Sequence, residues 1–88
     1  MDSDKRQAAV DEAGGDELLF ADGFDEAIIG VAYVRGSAVA VYDEDLAIEI
    51  LASQGMSLDE SREYFDFNVV GAYVGEQTPI FVRRLSRE

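Results

Sequence analysis

A two-residue gap between two β-branched and aromatic runs is the feature that most constrains the fold of this chain. The runs cover Ile28 to Val34 and Ser37 to Tyr42, and Arg35-Gly36 separates them. Two-residue loops that contain glycine favour a tight β-hairpin, because glycine readily takes the positive φ angles that such turns require. The sequence therefore predicts two antiparallel strands joined at Arg35-Gly36.

A first helix is predicted directly after the hairpin. Asp43-Glu44-Asp45 places carboxylates where the exposed N–H groups of a first helical turn lie, and negative charge is stabilising there. Gly55 is the kind of residue that usually follows a helix end. The residues between are mostly apolar, so this helix must be covered on more than one side. We therefore interpret the acids at 43–45 as a helix start in preference to a metal site.

A second helix is predicted to begin at Ser57. Ser57 and Glu60 have the spacing of a capping box, in which each side chain accepts a hydrogen bond from the other residue's backbone N–H. We favour a helix that continues to about Val74, with Asn68 on or beside its buried face. A strand over Phe67 to Val74 is the alternative, because the period of a short apolar run does not decide between helix and strand.

The fold class that follows is α+β. Pro79 opens a last short strand, Ile80 to Arg83, which is suited to join the hairpin. The order is then ββααβ, and we predict a three-stranded antiparallel sheet with a two-helix layer. A chain of 88 residues fits one such domain. We expect the domain to cover residues 18–88 and to follow an acidic, mobile N-terminal tail over residues 1–17.

The charge of the chain is strongly negative. There are 19 acidic side chains against seven basic ones, Lys5 is the single lysine, and the net charge is −12. One hypothesis is adaptation to a cytoplasm with molar salt, where the screening length falls to about 3 Å and a dense carboxylate surface stays hydrated. The other is mimicry of a phosphate backbone by an inhibitor of a DNA-binding protein. Lysine depletion and the spread of the acids along the chain favour salt adaptation, and the negative field disfavours direct nucleic-acid binding.

The residue types exclude several kinds of chemistry. There is no His and no Cys, so the commonest general base and the imidazole and thiolate metal ligands are missing. We therefore expect a protein that is not an enzyme, with no catalytic residue, no metal and no cofactor. The alternative is a small carboxylate-based enzyme that binds a metal or another ligand. Its candidate ligand-binding residues are Asp22, Asp25, Glu26 and Asn68, although the first three also fit a simple capped turn.

The surplus of apolar residues in the second half of the second helix predicts a contact surface. We take Phe67, Val70 and Val74 as the candidate interface, because apolar side chains beyond those that a core needs mark sites of association. The expected partner is an unidentified protein, or a second copy in a homodimer. No apolar run approaches the roughly 18 residues of a membrane span. Since the N-terminus is also acidic where a signal peptide is basic, we expect a cytoplasmic protein with no membrane partner.

Four stretches of the chain form a recognisable pattern: DGFDEAIIG at 22–30, VYD at 41–43, EYFDFNVVGAYVGE at 63–76 and TPIF at 78–81. Together they resemble a family of small uncharacterised proteins found in tailed-phage and prophage genomes. The resemblance covers about Asp22 to Val82, and the acidic stretch before Leu18 is absent from the family's pattern or variable in it. The resemblance implies a viral or prophage setting and no catalytic residues, because no activity is established for the family.

Overall fold

The predicted hairpin forms two of the three strands of one sheet. β1 (Ile28–Val34) pairs antiparallel with β2 (Ser37–Asp43). Arg35 and Gly36 join them with φ angles of +53° and +84°. Positive φ at both central positions matches the right-handed twist of the strands, and glycine takes this conformation without strain. This structure is a computed structural model, and it describes the chain over residues 3–15, 17–70 and 75–85.

The third strand corrects the prediction of a wholly antiparallel sheet. β3 (Ile80–Val82) pairs parallel to β2, with Phe81 opposite Tyr42, and the strand order is β1-β2-β3. A parallel neighbour needs a long crossover connection, and the helical segment between β2 and β3 supplies it. The hairpin turn sets the direction of β2 relative to β1 only, whereas the direction of β3 depends on where the helices return the chain. Over the described residues, the fold is therefore α+β with one mixed three-stranded sheet.

The helix after the hairpin begins where the acidic run predicts. α2 (Glu44–Ala52) has Asp43 as its N-cap, and Asp43 Oδ1 accepts a hydrogen bond from the Leu46 N–H at 3.1 Å. Three of its side chains are buried in the core: Ala47, Ile48 and Leu51. The predicted helix start and the predicted core position of this helix are confirmed.

The next helix begins with the predicted capping box. In front of α3 (Leu58–Tyr64), Ser57 Oγ accepts from the Glu60 N–H at 3.1 Å, and Glu60 Oε1 accepts from the Ser57 N–H at 2.8 Å. The chain then continues as a π-helix (Phe65–Val70). The helical interpretation is confirmed to the end of this π-helix, and the predicted continuation through 71–74 lies outside the described residues.

Aromatic rings from three elements meet in the core. Phe81 of β3 stacks on Tyr42 of β2 with 4.9 Å between ring centroids, and it meets Phe65 of the π-helix edge-on at 5.0 Å. Tyr42 and Phe65 are fully buried. Such ring pairs contribute about 0.5–1.5 kcal/mol beyond the area that they bury. They tie the π-helix to the sheet.

The segment predicted to be a tail packs against the sheet. Ser3–Glu12 form α1, and Ala9 and Ala13 are 4% and 2% exposed within the core. The Tyr33 hydroxyl of β1 donates a hydrogen bond to the Ala13 carbonyl at 3.1 Å. Small side chains allow this close approach, but they give little hydrophobic periodicity in the sequence. In the described part of the chain, the boundary expected at residue 17 therefore does not separate a tail from a domain.

The helices that the structure describes are short. α1 has ten residues. Within the described ranges, no helix has the length and apolar character needed to cross a membrane.

Candidate functional site

A cleft of about 370 Å³ opens where the segment before β1, the end of α2, the α3 and π-helix segment and the approach to β3 meet. Aromatic and apolar side chains form most of its wall, and a few polar groups stand among them. Concave surfaces of this composition are the usual binding sites of proteins. Its lining includes Phe20, Ala21, Asp22, Phe24, Gln54, Tyr64, Asn68 and Phe81.

Two of the four predicted ligand-binding residues line this cleft. Asp22 and Asn68 contribute to its wall, although 46 positions separate them in the sequence. Asp25 and Glu26 lie in the short 3₁₀ turn that leads into β1, outside the lining. The structure therefore does not gather the four residues into one ligand site.

Asn68 is exposed, which corrects the expectation that it lies on or beside the buried face. Ser61 and Phe65 are both fully buried, so α-helical spacing holds as far as Phe65. A π-helix bonds five residues apart instead of four, so the side chains after Phe65 leave the positions that an α-helix would give them. The Asn68 amide consequently lines the cleft.

The carboxylates of the turn before β1 are already bound by a cation from α1. Arg6 Nε lies 2.8 Å from Asp25 Oδ1, and Arg6 Nη2 lies 3.1 Å from Asp22 Oδ1. The hydrogen bond to Asp25 raises the pKa of Arg6. The guanidinium carbon also lies 4.9 Å from the centre of the Phe20 ring, within cation–π range. An internal arginine thus occupies the position that the enzyme alternative gives to a metal ion or ligand.

Lys5 holds the same turn from the adjacent position. Its Nζ donates a hydrogen bond to the Glu26 carbonyl at 2.7 Å, and the Glu26 side chain is exposed. In the ranges that the structure describes, no group of three or more acidic side chains is placed to hold a metal ion. Sequence reasoning missed these contacts because it assigned residues 1–17 to a tail. The available signal was that Lys5 and Arg6 are the only basic residues before Arg35.

The acidic run at 43–45 belongs to the start of α2. Asp43 is fully buried, and its Oδ2 lies 2.9 Å from Arg84 Nε. Among the described residues no hydrogen bond reaches Oδ2, so this contact is an ion pair whose N–H is poorly aligned. Glu44 Oε2 lies 2.9 Å from Arg83 Nε and accepts its hydrogen bond. Arginines beyond β3 therefore neutralise the carboxylates at this helix start.

Tyr42 connects the cleft wall to the core. Its buried hydroxyl accepts a hydrogen bond from the Ala21 N–H at 2.8 Å, and Ala21 lines the cleft. Burial raises the pKa of Tyr42, while the Ala21 N–H and the charge of Arg6 act in the opposite direction. Because the phenol stays neutral at physiological pH, it is a fixed anchor for this part of the wall.

Phe67 is the member of the predicted interface whose side chain the structure describes, and it is exposed. It is 77% exposed and directly precedes Asn68. Tyr64, one turn earlier, is 44% exposed and lines the cleft. The side chain of Val70 and all of Val74 lie outside the described residues. Sequence reasoning missed Tyr64 and the cleft, since both depend on how the segment before β3 approaches the π-helix.

Comparison with known proteins gives no match. No family model, no curated protein and no solved structure is significantly similar to this chain. The candidate site therefore depends on the geometry of the cleft and on the exposed Phe67 beside it.

Proposed function

We propose that this chain is a non-enzymatic interaction protein of a tailed phage or prophage, which binds a protein partner in the cytoplasm of a salt-adapted host. The contact surface is the α3 and π-helix segment that carries Tyr64, Phe67 and Asn68. The exposure of Phe67, at 77%, is the observation that carries this proposal. Fully burying a side chain of this size contributes about 1.5–3 kcal/mol, and aromatic side chains dominate the energy of many interfaces.

The π-helix supports the same assignment. π-helical segments are rare and occur frequently at functional sites, because they interrupt the regular hydrogen bonding of a helix. Here the segment both exposes Phe67 and directs Asn68 to the cleft. A contact surface that combines an apolar anchor, an adjacent cleft and exposed amides has the composition of a protein interface.

The distribution of charge bears on the cause of the acidity and not on the choice of partner. In molar salt the repulsion between two chains of net charge −12 is screened within about 3 Å, so the partner can be another protein or a second copy. The exposed carboxylates among the described residues are spread over α1, the turn before β1, α2 and α3. Salt adaptation accounts for acids on many elements, whereas mimicry of a phosphate backbone requires them on one face. The carboxylate-based enzyme has less support, since Arg6 already binds Asp22 and Asp25.

The test is affinity capture from native host cells at low and at molar salt. We expect a partner that the wild-type chain retains in molar salt and that Phe67→Ser loses. Leu85→Ser is the matched control, because it removes another exposed apolar side chain from outside the α3 and π-helix segment, and it should capture the partner normally.

Two outcomes contradict the proposal. One is a partner that is released by about 0.3 M salt and is captured equally by Phe67→Ser, which indicates charge mimicry. The other is the absence of any specific partner in uninfected and infected host cells.

A further inference from the structure

We infer that the cleft receives a cationic side chain of the protein partner, a lysine or an arginine. Its aliphatic stem lies against the aromatic wall, and its charged head pairs with Asp22. This inference rests on the proposed function, since it names the group that the partner contributes. It concerns the cleft and not the apolar contact at Phe67.

Four aromatic rings line the cleft, and two of them stand nearly perpendicular to each other. The rings of Phe24 and Phe81 stand at 85° to each other with 6.2 Å between centroids, and both line the cleft. Phe20 and Tyr64 add two further rings. The negative faces of aromatic rings attract cations, and their apolar surface also accommodates the methylene stem of a lysine or an arginine.

Asp22 supplies the charge. It is the charged residue among the described residues of the lining, and its side chain is 97% exposed. Oδ1 binds Arg6, whereas Oδ2 has no hydrogen-bond partner within the described part of the chain. In molar salt the field of the net charge is screened within about 3 Å, so the charge that acts on an occupant is that of the carboxylate in direct contact with it. At that distance Asp22 attracts a cationic head and repels an anionic one, which selects a lysine or an arginine.

The chain itself contains an example of this recognition. The guanidinium of Arg6 lies over the ring of Phe20 and pairs with Asp22. The open cleft is bordered by the same combination of groups, since aromatic rings and the carboxylate of Asp22 line it. An incoming cationic head would repeat at Oδ2 the interaction that Arg6 makes at Oδ1.

Two amides complete the site. Gln54 and Asn68 line the cleft from the end of α2 and from the π-helix, and both are exposed. Each amide offers a donor and an acceptor to the backbone of a bound segment. Their side-chain NH₂ resonances also provide two site-specific probes for an NMR titration.

The experiment titrates the full chain with two blocked pentapeptides of glycine and serine. One has arginine at its centre, and the other has citrulline, a neutral residue of almost the same shape. We expect the arginine peptide to shift the NH₂ signals of Gln54 and Asn68 and the backbone signals of Ala21 and Asp22. The citrulline peptide should bind about three- to tenfold more weakly, because it lacks both the ion pair and the cation–π contact.

Two variants assign the preference to Asp22. Asp22→Asn should reduce the difference between the peptides to the part that the cation–π contact supplies, while Asp25 still holds Arg6 at 2.8 Å. Glu63→Gln, which makes the same charge change at an exposed α3 position outside the lining, should keep the difference. Equal binding of the two peptides to the wild-type chain, or shifts spread over the whole surface, would overturn the inference. Since neither result involves Phe67, the capture experiment still tests the proposed function separately.

Discussion

Phe65 and Phe67 belong to the same π-helix, yet one is fully buried and the other is 77% exposed. Side chains two residues apart on a helix point in different directions. Phe65 can therefore face the core while Phe67 faces the solvent. Phe65 meets the Phe81 ring edge-on at 5.0 Å. Phe67 has no comparable ring contact among the described residues. The same residue type therefore serves the core at one position and the surface at the other.

The comparison teaches that apolar character alone does not distinguish a core helix from an interface helix. α2 has a wide apolar surface, and it buries Ala47, Ile48 and Leu51 in the core. The α3 and π-helix segment buries Phe65 and leaves Tyr64 and Phe67 exposed. The difference lies in what packs beside each helix, which local sequence does not contain. Four substitutions test this division between core and surface.

The largest expected effect is that of Phe65→Ala. Truncating a fully buried phenylalanine removes apolar contacts and leaves a cavity, so we expect the free energy of unfolding to fall by about 3–5 kcal/mol. Urea unfolding followed by circular dichroism measures the change. If the variant does not fold, Phe65→Leu should still fold with a smaller loss. A loss below about 1 kcal/mol for Phe65→Ala would show that the core does not depend on this ring.

The next effect is that of Asp43→Ala. This change removes the N-cap of α2, and we expect it to cost about 1–2 kcal/mol. Glu44→Ala is the control, because it also removes a carboxylate that pairs with an arginine but makes no cap. An exposed pair of this kind contributes at most about 1 kcal/mol. Equal losses in the two variants would mean that charge, and not capping, stabilises the helix start.

A pH-dependent effect is expected for Tyr42→Phe. Burial raises the pKa of Tyr42 in the folded chain, so between the ordinary value of about 10 and the raised value the native state keeps a proton that the unfolded state has lost. The Tyr42 hydroxyl therefore makes its full contribution to the free energy of unfolding below about pH 10, and this contribution declines as the pH rises above that value. The free energy of unfolding, measured with urea from pH 8 to pH 11, should fall more steeply with pH for the wild type than for Tyr42→Phe.

The substitution also has a cost at neutral pH. It removes the acceptor of the Ala21 N–H, and a lost hydrogen bond of this kind costs about 1 kcal/mol. The two proteins differ only in the hydroxyl at position 42, so the difference between the two pH curves isolates Tyr42. Parallel curves would show that the hydroxyl has the same affinity for its proton in the folded and unfolded states.

The features that could be predicted from the sequence depend on neighbouring residues. The turn at Arg35-Gly36, the cap at Asp43 and the capping box of Ser57 and Glu60 each involve residues that are close in the chain. Their hydrogen bonds are local, so residue type and spacing are sufficient to identify them. From β1 onward, the order of strands and helices follows from the same signals.

The features that could not be predicted depend on distant residues. The parallel direction of β3 is set by the length and path of the helical connection. The packing of α1 depends on Arg6 reaching Asp22 and Asp25, and a tail rich in charge and alanine gives no apolar periodicity for such a contact. The cleft combines four separate segments of the chain. No single stretch of sequence contains it.

The smallest expected effect on stability is that of Phe67→Ala. Because the ring is largely in solvent, its removal should change the free energy of unfolding by less than about 0.5 kcal/mol. The change expected for Phe65→Ala is about 3–5 kcal/mol. The same urea experiment measures Phe65→Ala and Phe67→Ala, so the ratio of their losses in free energy of unfolding does not depend on the overall stability of the chain. A loss that approaches the one for Phe65→Ala would place Phe67 in the core of the folded chain and remove the main support for an interface. Normal stability together with lost partner capture would instead assign this side chain to recognition.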